Sequence, residues 1–249
     1  MTYRQLGSSG LVVSAVGLGC NSFGATLPPD DVPRVVSAAV EAGITLFDTA
    51  DVYGGEPGQA EELLGAALEG RRDEVVVATK FGMDTRGLNG EDHGMRGSRR
   101  YIRRAVEGSL RRLRTDHIDL YQLHRPDPVT PLEETLGALD ELVREGKVLY
   151  IGCSNFSGWQ LVDADWTART AGLSPFVSVQ NAYSLLSREL EAEVVPPPRT
   201  SVPGSSRTGR SPPASSPAST GAVSRHPPAA VWRSAPSGWR APTSTGSRP

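Results

Sequence analysis

Six apolar or β-branched runs recur along the first three quarters of the chain, each set off from the next by a stretch long enough for a helix. This repeat restricts the fold more than any other feature. The runs are Ala15–Cys20, Thr45–Ala50, Glu74–Phe81, His117–His124, Lys147–Ser154 and Phe176–Tyr183. They are bounded by Gly, Pro or charged residues and are too continuous to be half-exposed edges, so they read as buried parallel strands. Between them lie one-sided apolar stripes at helical spacing. One is Val35, Val36, Ala39 and Val40 before Gly43, and a second is Leu63, Leu64, Ala67 and Leu68 before Gly70. A third is Ile102, Ala105, Val106, Ser109, Leu110 and Leu113, and a fourth is Leu132, Leu136, Leu139, Leu142 and Val143 before Gly146. The three glycines suit left-handed helix caps. Strand starts recur every roughly 30 to 40 residues, the length of a βα unit, and no Gly-rich dinucleotide turn is present. The pattern predicts an α/β chain wound as a (β/α) barrel rather than as a doubly wound sheet.

Barrels of this kind carry their chemistry at the C-terminal ends of the strands. Asp48, Tyr53, Lys80 and His124 all fall there. A carbonyl that becomes an alcohol takes a hydride on carbon and a proton on oxygen, and so needs an acid held over the oxygen. Tyr53 has the right group, and an ammonium beside it would favour the phenolate. Lys80 supplies that charge, Asp48 can hold Lys80 in place, and His124 can orient the carbonyl or share the proton. Singly, each has a bland reading: a turn former, a loop filler, a solvated strand end and a satisfied core imidazole. Their coincidence at consecutive strand ends favours the proton-transfer site.

Composition divides the chain near residue 195. All 28 Asp and Glu lie in 1–195 and 7 of the 26 Lys and Arg lie beyond, so the first part carries 19 − 28 = −9 and the rest +7. Residues 196–249 contain no Asp, Glu, Lys, Leu, Ile, Phe or Tyr and are dominated by Pro and Ser. Such a segment cannot bury enough apolar surface to offset about 1–2 kcal/mol of backbone entropy per ordered residue, and a disordered tail is expected. The first 195 residues hold no membrane-length apolar run, and the N-terminus lacks a signal-peptide pattern, so a cytoplasmic protein with no membrane partner is expected. Cys20 and Cys153 read as inert core thiols. The four histidines have no ligand-pair spacing, so no metal site is expected. The arginines between Arg99 and Arg114 read as a solvated helix face that pairs with Glu107 at i, i+4, not as a nucleic-acid surface.

The segments VSAVGLGCNSFG (13–24), GITLFDTADVYGG (43–55), VVVATKFG (75–82), IDLYQLHRPDP (118–128), GKVLYIGCSNF (146–156) and VSVQNAYSLLSR (177–188) resemble, in order, those of the aldo-keto reductases. The resemblance implies a (β/α)8 TIM barrel, a nicotinamide cofactor (NADPH, with NADH left open) and a catalytic tetrad matching Asp48, Tyr53, Lys80 and His124. It further implies that Ser154, Asn155 and Gln180 hold the nicotinamide carboxamide and that Tyr183 stacks on the ring. The opening seventeen residues resemble the small hairpin that plugs the barrel bottom, with Gly7 to Gly10 as its turn. YQLHRPDP and FGMDTRG resemble the branch related to potassium-channel β-subunits. The expected substrate is a small aldehyde or ketone, and oligomeric state is left open. The likeness stops near residue 195, before the last two strands and their phosphate-binding loops, so the barrel is expected to be truncated after about six strands. The tail's composition is what an out-of-frame reading of a GC-rich gene produces; a genuine Pro- and Ser-rich tail is the alternative. Two functions follow: an NAD(P)H-dependent aldehyde or ketone reductase, or a catalytically inactive truncated or cofactor-sensing relative.

Overall fold

The computed structural model describes residues 1–7, 9–186 and 188–194, and the backbone of 230–234. All six sequence-read strands form. They are β3 (Gly17–Gly19), β4 (Leu46–Asp48), β5 (Val76–Phe81), β6 (Ile118–Leu123), β7 (Val148–Ser154) and β8 (Ser178–Ala182), following a two-stranded hairpin of β1 (Tyr3–Gln5) and β2 (Val12–Ser14). From β3 to β8 every neighbour in the sheet is the next strand in the chain, and every pairing is parallel. This is the half-barrel expected of a chain whose barrel likeness ends after the sixth strand.

The sheet is strongly curled. β4 and β8 are four places apart in its order, which in a flat sheet means roughly 19 Å. Yet Gln180 Nε2 on β8 donates to Asp48 Oδ2 on β4 at 3.0 Å, a bond that only a sheet bent back on itself allows. Strand alternation then sorts the side chains. On the outer face Phe47, Val77, Tyr121 and Ile151 join the main core with the helices; on the inner face Leu46, Ala78 and Leu120 meet Leu6, Leu11 and Val13 of the hairpin. The hairpin therefore plugs the inner, N-terminal end of the sheet, as the resemblance implied. Two residues further along the same inner face come Asp48 and Lys80.

The outer layer comprises α1 (Val32–Glu41), α2 (Gln59–Ala67), α3 (Arg99–Leu113), α4 (Leu132–Arg144) and α5 (Gly158–Ala171). The first four are the helices read from the sequence, and Gly43, Gly70 and Gly146 take left-handed conformations after three of them. The sequence reading missed α5. Its stripe is disguised: Trp159 and Trp166 are 67% and 71% exposed, and only Ala164 and Ala168 are buried. Its start is fixed locally by a capping box between Ser157 and Gln160.

One expectation is corrected. Glu107 pairs with Lys147 rather than with an arginine of its own helix, while Arg99 and Arg103 reach across to Glu141 on α4 and Arg103 also to Glu145. Packing α3 against α4 brings acids within reach that linear spacing does not show. Arg99 and Arg103 thus line a seam with α4, while Arg100 and Arg111 stay exposed. The tail after residue 194 adds one element. Most of it lies outside the described residues, but Ala230–Ser234 form a strand, β9, paired in parallel with β8 from Ser178↔Ala230 to Ala182↔Ser234. This short stretch, AVWRS, holds a β-branched residue and an aromatic, and the outer edge of β8 offers unpaired backbone groups to it. Among the described residues the sheet stays open, with β3 and β9 at its edges. No described helix is long and apolar enough to cross a membrane.

Candidate active site

The sequence-read residues come together at the C-terminal end of the curled sheet. Lys80 near the end of β5 is 1% exposed, and its ammonium donates to Asp48 Oδ1 at 2.7 Å and to the carbonyl of Thr49 at 3.0 Å. Tyr53 follows β4 on a turn, its N–H bonded to the Ala50 carbonyl at 3.1 Å. The Tyr53 hydroxyl stands 3.5 Å from Lys80 Nζ, and that nitrogen is 5.0 Å from the ring centroid. His124 directly follows β6 and meets Tyr53 edge-on, with ring centroids 5.6 Å apart at 84°. Three strand ends, with residues up to 76 apart in the chain, thus deliver an ammonium, a carboxylate, a phenol and an imidazole to one spot.

Two of these groups are electrostatically tuned. Burial pulls the Lys80 pKa down, but the Asp48 carboxylate and the Tyr53 oxygen more than offset it, and the result lies above the ordinary lysine value. Lys80 is a permanent cation. His124 moves the other way: burial first, then the positive charges of Lys80 and Arg125, lower it from 6.5 to about 3. It is a neutral imidazole at physiological pH. The sequence reading left either protonation state open, and the structure selects the neutral one.

Three of the four residues expected at the nicotinamide end, Ser154, Asn155 and Gln180, adjoin this group. Ser154 Oγ donates to the Gln180 carbonyl at 2.7 Å, and Asn155 Nδ2 donates to the His124 carbonyl at 2.9 Å and to Ser154 Oγ at 3.1 Å. With the bond from Gln180 to Asp48, these form a continuous polar belt from Lys80 round to His124. Asn155 holds φ 60°, a left-handed conformation that Asn tolerates better than most residues. Gln180 Oε1 and His124 Nδ1 are buried without a hydrogen-bond partner among the described residues. Buried polar atoms are seldom left so, and these two are the atoms a bound polar group would engage. Tyr183, half-buried just past β8, bonds through its hydroxyl to Glu191.

Sequence reasoning missed the buried polar residues beneath the site. Asp51, Glu61 and Asn89 are buried, with Asn89 Nδ2 donating to Asp51 Oδ2 at 2.8 Å, Thr79 Oγ1 donating to Glu61 and Arg112 Nε paired with Glu61 at 2.7 Å. The second acid of DTAD was a visible signal for Asp51; nothing local marks Asn89. Cys20 and Cys153 are free and buried, and burial raises both thiols, as expected of core cysteines.

Comparison with known proteins places the chain in a family. Residues 15–197 match the model of the aldo/keto reductase family. The chain is 43% identical over 205 residues to the uncharacterized oxidoreductase YrpG of Bacillus subtilis (strain 168), an overlap covering 80% of this chain and 63% of the relative. The chain therefore spans less than two thirds of that relative's length. With a parallel, curled half-barrel, a plugged base and a family match over most of its residues, the chain belongs to the aldo/keto reductase family.

Proposed function

We propose that the protein transfers a hydride from NAD(P)H to an aldehyde or ketone, with Tyr53 as the general acid. The observation that carries this reading is the fully buried Lys80 cation, bonded to Asp48 and set 3.5 Å from the Tyr53 hydroxyl. A phenol that gives up its proton becomes a phenolate, and a fixed ammonium beside it stabilises that charge without waiting for solvent to reorganise. Asp48 holds the ammonium by an ion pair, and Gln180 and Lys80 together engage both oxygens of that carboxylate. His124, neutral, is suited to orient the carbonyl oxygen by a hydrogen bond rather than to supply the proton.

The residues also fit the nicotinamide end of a dinucleotide. Gln180 Oε1 is a buried acceptor with no partner among the described residues, available to a carboxamide N–H, and Ser154 and Asn155 are bonded next to it through the Gln180 carbonyl. When bound, the reduced dinucleotide supplies the hydride. Ser154, Asn155 and Gln180 would fix which ring face is presented, and Tyr183 would provide the stacking surface. NADPH is the cofactor of choice, with NADH the alternative.

Tyr53→Phe is the test. Loss of a general acid lowers turnover by about 10²–10⁴, whereas nucleotide binding, followed by quenching of NADPH fluorescence, is unchanged. A Tyr53→Phe protein as fast as the parent would remove Tyr53 from the mechanism. NADPH binding with no aldehyde-dependent oxidation in the parent would instead favour the cofactor-sensing reading.

A further inference from the structure

Beneath the turn that presents Tyr53 lies polar structure that the chemistry above does not use. Asp51, two residues before Tyr53, is fully buried, and its N–H donates to the Lys80 carbonyl at 3.0 Å. Its Oδ2 accepts from Asn89 Nδ2 at 2.8 Å, and the same nitrogen lies 3.3 Å from the Tyr101 hydroxyl of α3. Asn89 belongs to the long loop between β5 and α3, which leaves the strand after Phe81, one residue past Lys80. A buried side-chain hydrogen bond therefore joins the turn carrying the acid to a loop anchored on a helix.

We propose that Asp51 is a positioning residue for the reductase chemistry, tying the Tyr53 turn to the 82–98 loop through Asn89 and so holding the Tyr53 hydroxyl over Lys80. The inference rests on the reductase reading. The 3.5 Å between Tyr53 and Lys80 is already at the outer limit of a hydrogen bond, so the turn has little room to drift. A misplacement of about 1 Å at a reacting group costs on the order of 10²-fold in rate.

The chemistry of the tie is specific. Burial, then repulsion from the Glu61 carboxylate, raises Asp51 well above the usual carboxylate range, against the smaller opposing effects of Arg112, Asn89 and Lys80. Its Oδ2 accepts from Asn89 in either protonation state. Oδ1 is buried with no hydrogen-bond partner among the described residues. An asparagine keeps this arrangement, presenting its carbonyl oxygen to Asn89 at the same place. An alanine removes it.

The experiment compares the 249-residue parent with Asp51→Asn, Asp51→Ala, Asn89→Ala, the Asp51→Ala/Asn89→Ala double variant and Tyr53→Phe. It reads kcat and KM for benzaldehyde with NADPH, the NADPH Kd by fluorescence, and Tm. Asp51→Asn is expected within about twofold of the parent in kcat, whereas Asp51→Ala and Asn89→Ala each lose about 10–100-fold with Kd unchanged. The double variant should be no slower than the worse single one, because both remove the same tie. A packing role alone would lower Tm without this rescue and non-additivity in kcat. Should Asp51→Ala not fold, Asn89→Ala and Asp51→Asn decide the matter. Asn89→Ala at parental kcat, or an Asp51→Asn protein at least tenfold slower than the parent, overturns the inference alone. A parent that neither binds NADPH nor oxidises it with the aldehyde overturns the reductase reading, and this inference with it.

Discussion

Lys80 keeps its charge at 1% exposure because Asp48 meets it at 2.7 Å and the Thr49 carbonyl at 3.0 Å, a partnered arrangement without which a buried ammonium would give up its proton. His124 shows the opposite outcome in the same neighbourhood: it has no carboxylate partner, faces Lys80, and stays neutral. That difference has a consequence for stability. The folded His124 titrates at about 3 and the unfolded imidazole near 6.5, so between those values the unfolded chain binds a proton that the native one does not. The stabilisation is complete above about pH 6.5 and is lost as pH falls towards 3, with a slope of up to about 1.4 kcal/mol per pH unit. Urea unfolding of the parent and of His124→Gln at pH 7 and pH 5 checks it. The parent should lose roughly 2 kcal/mol more than the variant on acidification. Equal losses would mean that His124 is not held neutral.

At the scale of elements, the helices pack closely enough that single atoms matter. Gly65 lies inside α2, where alanine would ordinarily favour the helix by about 1 kcal/mol. Here an added Cβ would come within 2.6 Å of the Arg112 carbonyl oxygen and of backbone atoms of Leu113 on α3. Backbone cannot swing aside as a side chain can. Gly65→Ala should therefore destabilise by about 1–3 kcal/mol, read as a lower denaturant midpoint at unchanged m. A neutral or stabilised variant would show that α2 and α3 do not approach this closely. The helices also show where sequence periodicity is informative. α1 to α4 each carry a stripe of large apolar residues, and all four were legible. Of α5 only alanines are fully buried, Leu161 is partly buried, and Trp159, Val162 and Trp166 are exposed, so the stripe of large apolar residues vanishes from the pattern.

For the whole molecule, the order of strands is a simple succession, but the sheet does not close among the described residues. β3 has β4 on one side only, and its other edge presents unpaired backbone groups. Open parallel edges invite pairing with another chain. Light scattering on the purified 249-residue chain should report species larger than a monomer, or co-purifying chaperone. A monodisperse monomer at micromolar concentration would mean that the β3 edge is covered. β9 blunts the opposite edge by pairing along β8, which the composition of the tail gave no reason to expect.

The division between sequence and structure follows from the range of the forces involved. Strand and helix identity, the winding of βα units, the hairpin and the positions of Asp48, Tyr53, Lys80 and His124 at strand ends depend on local periodicity and on motifs of a few residues, so they can be read along the chain. What the chain does not display is which distant groups become neighbours. The curl that brings Gln180 to Asp48 across 132 residues, the neutrality of His124, the seam between α3 and α4 and the buried link from Asp51 to Asn89 all arise from contacts made only when the sheet bends and the helices seat on it. The sequence chose the groups and the strand ends that carry them; the tertiary structure decided their distances, their burial and therefore their charge.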